Sequence, residues 1–394
     1  MTERAPIYLD NHATTPVDPR VVDAMLPYLT TFYGNPASRQ HGFGWRAEAG
    51  VQKARRQVAA LIHAEENEII FTSGATESIN LALKGVAEGY RSRGNHIVTV
   101  ETEHHAVLGT CQTLERVGFS VTRLAVDRNG HVSVDDLERA ITDRTILVSV
   151  MVANNEIGTL APIDAIGKLC RERGILFHSD AAQAVGKVPV DVRSMNVDLL
   201  SLTAHKIYGP KGVGALFVRK SGPRIFLAPQ IEGGGHEEGL RSGTLNVPGI
   251  VGFGEAAALA SLEMDHERER VGGLRDKLED GLVSRVEDIA LNGDRTERLS
   301  GNLSITFRGV KADKLIMDMK EIAVSTGSAC SSASPRPSHV LRAIGLSDED
   351  SHCTIRFGVG RFTKEDEIDY TINRIAEVVG RIRKTSPTQY LALS

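Results

Sequence analysis

The chain has 394 residues, 41% of them hydrophobic and 24% charged, which is ordinary for a globular protein large enough to form two domains. Its net charge is −4 with both signs spread along the sequence, so composition does not favour nucleic acid or anionic lipid as an obligate partner. No apolar run is long enough to span a bilayer, and the start, MTERAPIYLD, lacks the apolar core of a secretory signal. We therefore expect a cytoplasmic protein with no membrane segment.

In chain order, residues up to about 220 alternate between strand and helix patterns. Asp18-Pro19 can cap a first helix, and the strand-like run Glu68–Thr72 leads through Ser73–Thr76 into another helix. Several predicted strands are continuous apolar runs, typical of strands covered on both faces. We therefore predict an α/β fold with a mostly parallel, doubly wound sheet. The further strands are predicted at His96–Val100, Phe119–Leu124, Thr145–Val152, Ile175–His178, Val197–Thr203 and Gly214–Val218.

The pattern changes near residue 250, where Ile250–Val286 predicts a long amphipathic helix that Gly272-Gly273 could break. Strands at Leu303–Phe307 and Thr354–Phe357 and a final helix after Thr363 follow. We predict a large domain at 16–260 and a smaller α+β domain made of 1–15 and 261–394.

The chain has four cysteines, and their wide spacing without a CxxC pair indicates neither a metal site nor a disulfide framework. Cys330 lies in a small polar loop, Ser325–Pro335, where an exposed thiolate could attack an electrophilic sulfur. An incidental loop cysteine is the alternative. Cys111, Cys170 and Cys353 lie in helix-like or strand-like segments, and we assign all three to structure.

Two strand ends suggest a site for a phosphorylated aldehyde. Phe71–Ser78 passes from a strand through small residues into a helix, whose free N–H groups can bind an anion, although a plain tight turn would explain the same residues. Thr203–Gly212 leads from an apolar strand to His205 and Lys206. A lysine at such an edge can form a Schiff base with an aldehyde, although most lysines are simply solvated.

Asp180 ends an apolar strand at the edge where ligands collect in open α/β sheets. A carboxylate there would keep a pyridine nitrogen protonated, and a helix N-cap is the alternative. His104 could stack on a flat cofactor and move protons, or simply begin a helix. Arg356 lies on an apolar strand, where its guanidinium matches a carboxylate ligand or a structural ion-pair partner.

Together these segments resemble the cysteine desulfurases, which are fold-type I pyridoxal-phosphate enzymes. The resemblance runs from Tyr8 to about Ser386, and the long loop around Cys330 is similar to the branch that serves iron–sulfur assembly and nitrogenase-type systems. It rests on an ordered set of motifs: YLDNHATTP at 8–16, GNPASR at 34–39, TSGATES at 72–78, TEHHAV at 102–107, NNEIG at 154–158, DAAQ at 180–183, HKIYGPKG at 205–212, RSGT at 241–244, STGSAC at 325–330 and IRF at 355–357.

The resemblance implies pyridoxal 5'-phosphate as cofactor, with Lys206 carrying it and Cys330 as the nucleophile. Arg356 would bind the substrate carboxylate, with Asn155 also at the substrate. The other implied cofactor contacts are Ala75, Thr76, Thr203 and His205 at the phosphate, Thr244 from the second subunit of a homodimer, Asp180 at the pyridine nitrogen, Gln183 and Asn155 at the ring oxygen, and His104 stacked on the ring with a catalytic role.

The implied reaction removes sulfur from L-cysteine, leaving L-alanine and a persulfide on Cys330. The acceptor would be an iron–sulfur scaffold or a tRNA-thiolation carrier. Relatives often carry a longer tail that docks the scaffold, whereas this sequence ends at SPTQYLALS. We therefore do not expect that mode of docking, and a different acceptor, such as a tRNA-thiolation or nitrogenase-related protein, stays open. Three alternatives stay open: a selenocysteine lyase that needs Cys330 less, an aminotransferase that leaves Cys330 without a role, and a catalytically silent module that organises sulfur-transfer partners.

Overall fold

The structure is a computed structural model, and it describes residues 6–326 and 337–385. Its strands are β1 Ile7–Tyr8, β2 Ile69–Thr72, β3 His96–Val100, β4 Ser120–Leu124, β5 Thr145–Ser149, β6 Leu176–Asp180, β7 Leu199–Thr203, β8 Gly214–Val218, β9 Ile289–Leu291, β10 Asn302–Phe307, β11 Ile322–Ala323, β12 Ser325–Thr326 and β13 Thr354–Gly358. Its helices are α1 Pro19–Thr30, α2 Gly42–Leu61, α3 Ala75–Gly89, α4 His105–Arg116, α5 Val134–Ala140, α6 Ile163–Arg173, α7 Val247–Arg285, α8 Ala312–Asp318, α9 His339–Ala343, α10 Asp348–His352 and α11 Glu365–Thr385, with 3₁₀ turns at Glu66–Glu68, Ala204–Lys206 and Glu237–Gly239.

The main sheet has seven strands in the order β2-β8-β7-β6-β5-β3-β4. Strand β8 runs antiparallel to both of its neighbours, and β7, β6, β5, β3 and β4 run parallel to one another. The prediction of a mostly parallel α/β sheet is therefore confirmed. Every strand except the edge strand β4 is buried almost throughout, as expected when helices cover both faces.

Alternate residues of these strands enter two different hydrophobic cores, because successive side chains of a strand point to opposite faces. Ile69 and Phe71 belong to the core shared with α2, α6 and the first half of α7. Their neighbour Ile70 belongs to the core on the other face, under α3 and α4. The sheet is thus the middle layer of three.

Helix α7 runs for 39 residues, and its apolar first half packs against α1 and α2. By length and composition alone α7 could cross a membrane, but more than half of its apolar stretch is buried inside the protein, as in a core helix. The predicted break at Gly272-Gly273 is absent from this helix. Two glycines cost a helix about 1 kcal/mol each, which tertiary packing at both ends can override.

The second half of α7 enters a third hydrophobic core, formed with β10, β13 and α11. Strands β12, β13, β10 and β9 form an antiparallel sheet beside it, and β1 pairs with β11. Ile7 and Leu9 lie in this core, so the N-terminal segment packs with the C-terminal part of the chain. The domain boundary predicted at 260/261 falls inside the continuous α7 and stays a prediction.

The segment from Asn11 to Thr15 joins these two parts and reaches the turn that follows β7. Thr15 donates from its N–H and its hydroxyl to the His205 carbonyl, both at 3.0 Å, and its hydroxyl accepts from Tyr208 N–H at 2.9 Å. On the other side, a Cβ at Gly358 would lie 2.7 Å from the Asn11 nitrogen. The close approach of this segment to β13 therefore requires glycine at 358.

Candidate active site

The predicted site residues meet at the carboxyl ends of β3, β5, β6 and β7, where ligands bind in open α/β sheets. They line a cavity of about 520 Å³, a volume suited to a small-molecule cofactor and substrate. Ten of the twelve predicted residues line it: Ala75, Thr76, His104, Asn155, Asp180, Gln183, Thr203, His205, Lys206 and Arg356. The two exceptions are Thr244, which is exposed on the surface of this chain, and Cys330, which lies outside the described residues.

Lys206 is brought into the cavity by the 3₁₀ turn that ends β7. Its Nζ donates to the backbone carbonyls of His12 and, at 2.6 Å, of Ala13. Both acceptors belong to the N-terminal segment beneath β13. The lysine is therefore positioned by a segment almost two hundred residues away in sequence.

The N-terminus of α3 faces the same cavity and offers an anion site. Gly74 precedes the helix with φ +153°, a conformation that suits glycine, and it provides no capping side chain. The N–H groups of the first helical turn, at Ala75 and Thr76, have no carbonyl partner within the helix. Thr203 and His205 line the opposite wall. This arrangement fits the phosphate predicted from the sequence.

His205 is held neutral beside that wall. Burial lowers the pKa of His205 to about 4, and the nearby charges of Lys206, Lys211 and Lys187 act in the same direction. Its Nδ1 lies 3.1 Å from the Thr14 hydroxyl. A neutral imidazole can donate one hydrogen bond to an anion in the cavity.

Asp180 is the last residue of β6 and is buried. One of its oxygens accepts from the Ala182 N–H at 2.9 Å. Burial raises the pKa of Asp180, and the charges of His104 and Lys206 and the Ala182 hydrogen bond partly oppose this. A cationic ring nitrogen in the cavity would stabilise the ionised carboxylate, so Asp180 fits the predicted partner of a pyridinium.

Gln183 is held by contacts that the sequence did not reveal. Its Oε1 lies 3.1 Å from His12 Nδ1 and accepts from Lys187 Nζ at 3.0 Å. Its Nε2 donates to the His12 carbonyl at 2.9 Å. An amide nitrogen carries two hydrogens, so one N–H of Gln183 remains for a ring oxygen.

A group of histidines lines the rim of the cavity. His104 caps α4, with its Nδ1 accepting from the Ala106 N–H at 3.1 Å. His105 and His339 also line the cavity, and their ring centroids lie 4.7 Å apart. His339 Nε2 lies 3.0 Å from the Glu103 carbonyl, and since a carbonyl can only accept, Nε2 must be protonated. The sequence predicted His104 alone, because His339 lies more than two hundred residues away.

Arg356 lies on β13 and is only 1% exposed. Its Nη2 pairs with Asp10 Oδ1 at 3.0 Å, and its Nη1 donates to the Asn155 carbonyl at 2.9 Å. Its Nε has no hydrogen-bond partner among the described residues. Arg356 therefore forms a structural ion pair and also lines the cavity, and its binding of a carboxylate ligand stays a prediction.

Glu156 is a further buried acid that the sequence analysis did not single out. It lines the cavity and accepts from the Ser338 hydroxyl at 2.5 Å. Burial raises the pKa of Glu156. Its position within NNEIG was visible in the sequence, but its burial at the wall of the cavity was not.

The three described cysteines are all buried, and none of them lines the cavity. Burial raises the pKa of Cys111 and of Cys170 to about 12. Burial also raises the pKa of Cys353. This agrees with assigning them to structure, because the thiolate is the reactive form.

Comparison with known proteins gives consistent matches. Residues 7–371 match the aminotransferase class-V family. The chain is 56% identical over 386 residues to a cysteine desulfurase IscS of Shewanella sp. (strain W3-18-1), covering 98% of this chain and 95% of that protein. A solved NifS-like protein shares 38% identity with a TM-score of 0.89, covering 95% of this chain and 99% of the other. SspA, solved in complex with cysteine, shares 38% identity with a TM-score of 0.80 over 91% of this chain and all of the other.

Proposed function

Because the chain belongs to the aminotransferase class-V family and, within it, to the cysteine desulfurases, we propose that it removes sulfur from L-cysteine with the help of pyridoxal 5'-phosphate. The products are L-alanine and a persulfide on Cys330. One observation carries the proposal: a strand-end lysine, a buried aspartate and a buried arginine line the same 520 Å³ cavity.

The residues present suit this cofactor. The open first turn of α3, with Thr203 and His205, would bind the phosphate. Asp180 would keep the pyridine nitrogen protonated, and Gln183 and Asn155 would face the ring oxygen, with His104 stacked on the ring. When bound, pyridoxal phosphate supplies an electron sink that makes the α-hydrogen of the substrate acidic.

The protein's own groups then divide the work. Arg356 binds the substrate carboxylate and fixes the α-carbon, and Lys206 removes the α-proton. The Cys330 thiolate forms a bond to the substrate sulfur while the Cβ–S bond of the substrate breaks. The carbon fragment keeps the electron pair, takes up a proton and leaves as alanine, so that no external oxidant or reductant is needed.

The assignments of partners and location belong to the same proposal. The persulfide passes to an acceptor protein of iron–sulfur assembly or tRNA thiolation in the cytoplasm. A homodimer would bring Thr244 of one subunit to the phosphate of the other. A groove of about 1010 Å³ lined by Arg39 and Trp45, with Trp45 60% exposed, supports a surface that binds another protein, either the acceptor or the second subunit.

The test is sulfide and alanine production from L-cysteine by the holoenzyme with a thiol reductant. Cys330→Ser should keep the visible absorbance of the lysine-bound cofactor but release no sulfide. Cys111→Ser is the matched control, and it should keep its activity wherever it folds, because Cys111 is buried away from the cavity. Full sulfide release by Cys330→Ser would refute the persulfide step. Selenide release from selenocysteine by the same variant would identify the selenocysteine lyase alternative.

A further inference from the structure

A second lysine lies behind the active-site cavity without lining it. Lys187 follows β6 and faces a small space of about 20 Å³ lined also by His12, Tyr208 and Glu267. Such a space holds about one water molecule and no substrate. Lys187 therefore does not contact the substrate, and any effect it has on the reaction must be exerted through other residues.

Hydrogen bonds join Lys187 to the residues that hold Lys206. Lys187 Nζ donates to Gln183 Oε1 at 3.0 Å, and Gln183 Nε2 donates to the His12 carbonyl at 2.9 Å. The same His12 carbonyl accepts from Lys206 Nζ. The side-chain amide of Gln183 and the His12 carbonyl therefore connect the amino group of Lys187 to that of Lys206.

The His12 ring adds an independent observation. His12 is 3% exposed, and its Nε2 has no hydrogen-bond partner among the described residues. Because Gln183 Oε1 can only accept, His12 Nδ1 must be protonated. Burial lowers the pKa of His12 well below its usual range, which leaves a lone pair on Nε2. The ring is therefore neutral and cannot screen one lysine from the other by taking up charge.

We propose that Lys187 is a positioning residue that disfavours the ammonium form of Lys206, acting from behind the cavity across Gln183 and His12. A cation beside a Schiff-base lysine makes its neutral, nucleophilic form more abundant. This inference rests on the proposed function, because it assumes that Lys206 reacts with an aldehyde cofactor.

The surrounding charges are consistent with this role. Burial lowers the pKa of Lys187 to about 7, followed by repulsion from Lys206, with Arg356 acting in the same direction and Glu267 opposing. Repulsion between two groups is mutual, so the pair holds fewer protons near neutral pH than two isolated lysines would.

Other charged groups around the two lysines are Asp180, which attracts Lys206, and Lys211, a cation that lines the cavity. Tyr208 and Arg268 line the same small space as Lys187. His12 and His205 are both kept neutral because burial lowers the pKa of each. Substitution at Lys187 removes a repulsion that lowers the pKa of His12 and of His205, but burial is the larger cause for both, so both rings stay neutral and the measured change reports on Lys187.

The experiment follows the visible absorbance of the holoenzyme across pH, which reports the protonation of the nitrogen that joins Lys206 to pyridoxal phosphate. Lys187→Met should raise the midpoint of this absorbance titration by roughly half to one and a half pH units. A shift of this size is expected when one charge near a titrating group in a protein interior is removed. Lys187→Arg keeps the cation and should stay at or below the wild-type midpoint. Lys168→Met, on the exposed face of α6, is the control and should leave the midpoint unchanged.

The outcomes separate this inference from the proposed function. If the wild-type protein forms no cofactor adduct at Lys206, the proposed function fails. If the adduct forms but Lys187→Met titrates within about 0.2 pH units of wild type, the role of Lys187 is refuted. Lys187→Gln, which can still hydrogen-bond to Gln183, covers the case in which the methionine variant does not fold, and it should show the same upward shift.

Discussion

Replacement of Arg356 by lysine tests the substrate end of the cavity. Lysine keeps the positive charge and can still reach Asp10, but it loses the planar fork of the guanidinium. In the structure that fork contacts Asp10 through Nη2 and the Asn155 carbonyl through Nη1, and its buried Nε has no hydrogen-bond partner among the described residues. We therefore expect the variant to fold and to bind cofactor while it binds the substrate carboxylate poorly.

The magnitudes follow from these contacts. Loss of the hydrogen bond to Asn155, with a less favourable ion pair, should cost about 2–3 kcal/mol of stability. The unfolding entropy of a 394-residue chain is about 0.8 kcal/mol/K, so Tm should fall by about 3 °C. Exchanging a bidentate for a single charge-assisted hydrogen bond to substrate should cost a further 1.5–3 kcal/mol, which is about 10- to 150-fold in kcat/KM.

The assay compares L-cysteine with cysteamine, which has the same amine and thiol but no carboxylate. The Arg356→Lys variant should lose kcat/KM for L-cysteine and keep nearly the wild-type rate with cysteamine. Arg308→Lys, at a half-exposed surface ion pair with Asp288, is the matched control and should change neither. An equal loss with both substrates would show that Arg356 supports the fold and does not bind the carboxylate.

Two further substitutions test the cofactor contacts. Asp180→Asn should lower kcat by about 100-fold or more, because an amide cannot hold the pyridine nitrogen protonated. The cofactor-free variant should melt no lower than the wild-type protein, since burial already penalises the Asp180 charge. Unchanged turnover would contradict the assignment of Asp180 to the pyridine nitrogen. Thr244→Ala should weaken pyridoxal phosphate binding about 5- to 10-fold by the loss of one hydrogen bond, measured by equilibrium dialysis beside the molar mass in solution. A monomer with full cofactor affinity would contradict a contact across subunits.

Much of the main sheet could be predicted because its strands are local, continuous apolar runs. Strand β3 was predicted with its observed ends, and β5 was predicted to reach Val152, whereas the structure ends it at Ser149. The chain stays hydrogen-bonded beyond that point, since the Val150 and Val152 N–H groups donate to the carbonyls of His178 and Asp180. The disagreement concerns where a strand is taken to end, and the path of the chain is as expected.

The supporting residues of the site could not be predicted in the same way. His12 and Gln183 are 171 positions apart in sequence, and Ser338 and Glu156 are 182 apart. No local period or spacing relates such pairs, which meet only after the sheet and the smaller core have formed. Motif matching therefore predicted Lys206, Asp180 and Gln183, which the structure brings to one cavity, but it did not predict the contacts of Lys206 and Gln183 with the His12 carbonyl.

The charge of the cavity illustrates the same separation between local and global properties. The chain as a whole carries a net charge of −4, yet Lys206, Lys211 and Arg356 all line the cavity. Two of its carboxyl groups, Asp180 and Glu156, have a pKa raised by burial and so offset less of this positive charge than ordinary carboxylates would. A low-dielectric cleft lined in this way attracts anions whatever the net charge of the protein. A ligand with a phosphate at one end and a substrate carboxylate at the other matches that field, and this electrostatic fit is independent of any motif in the sequence.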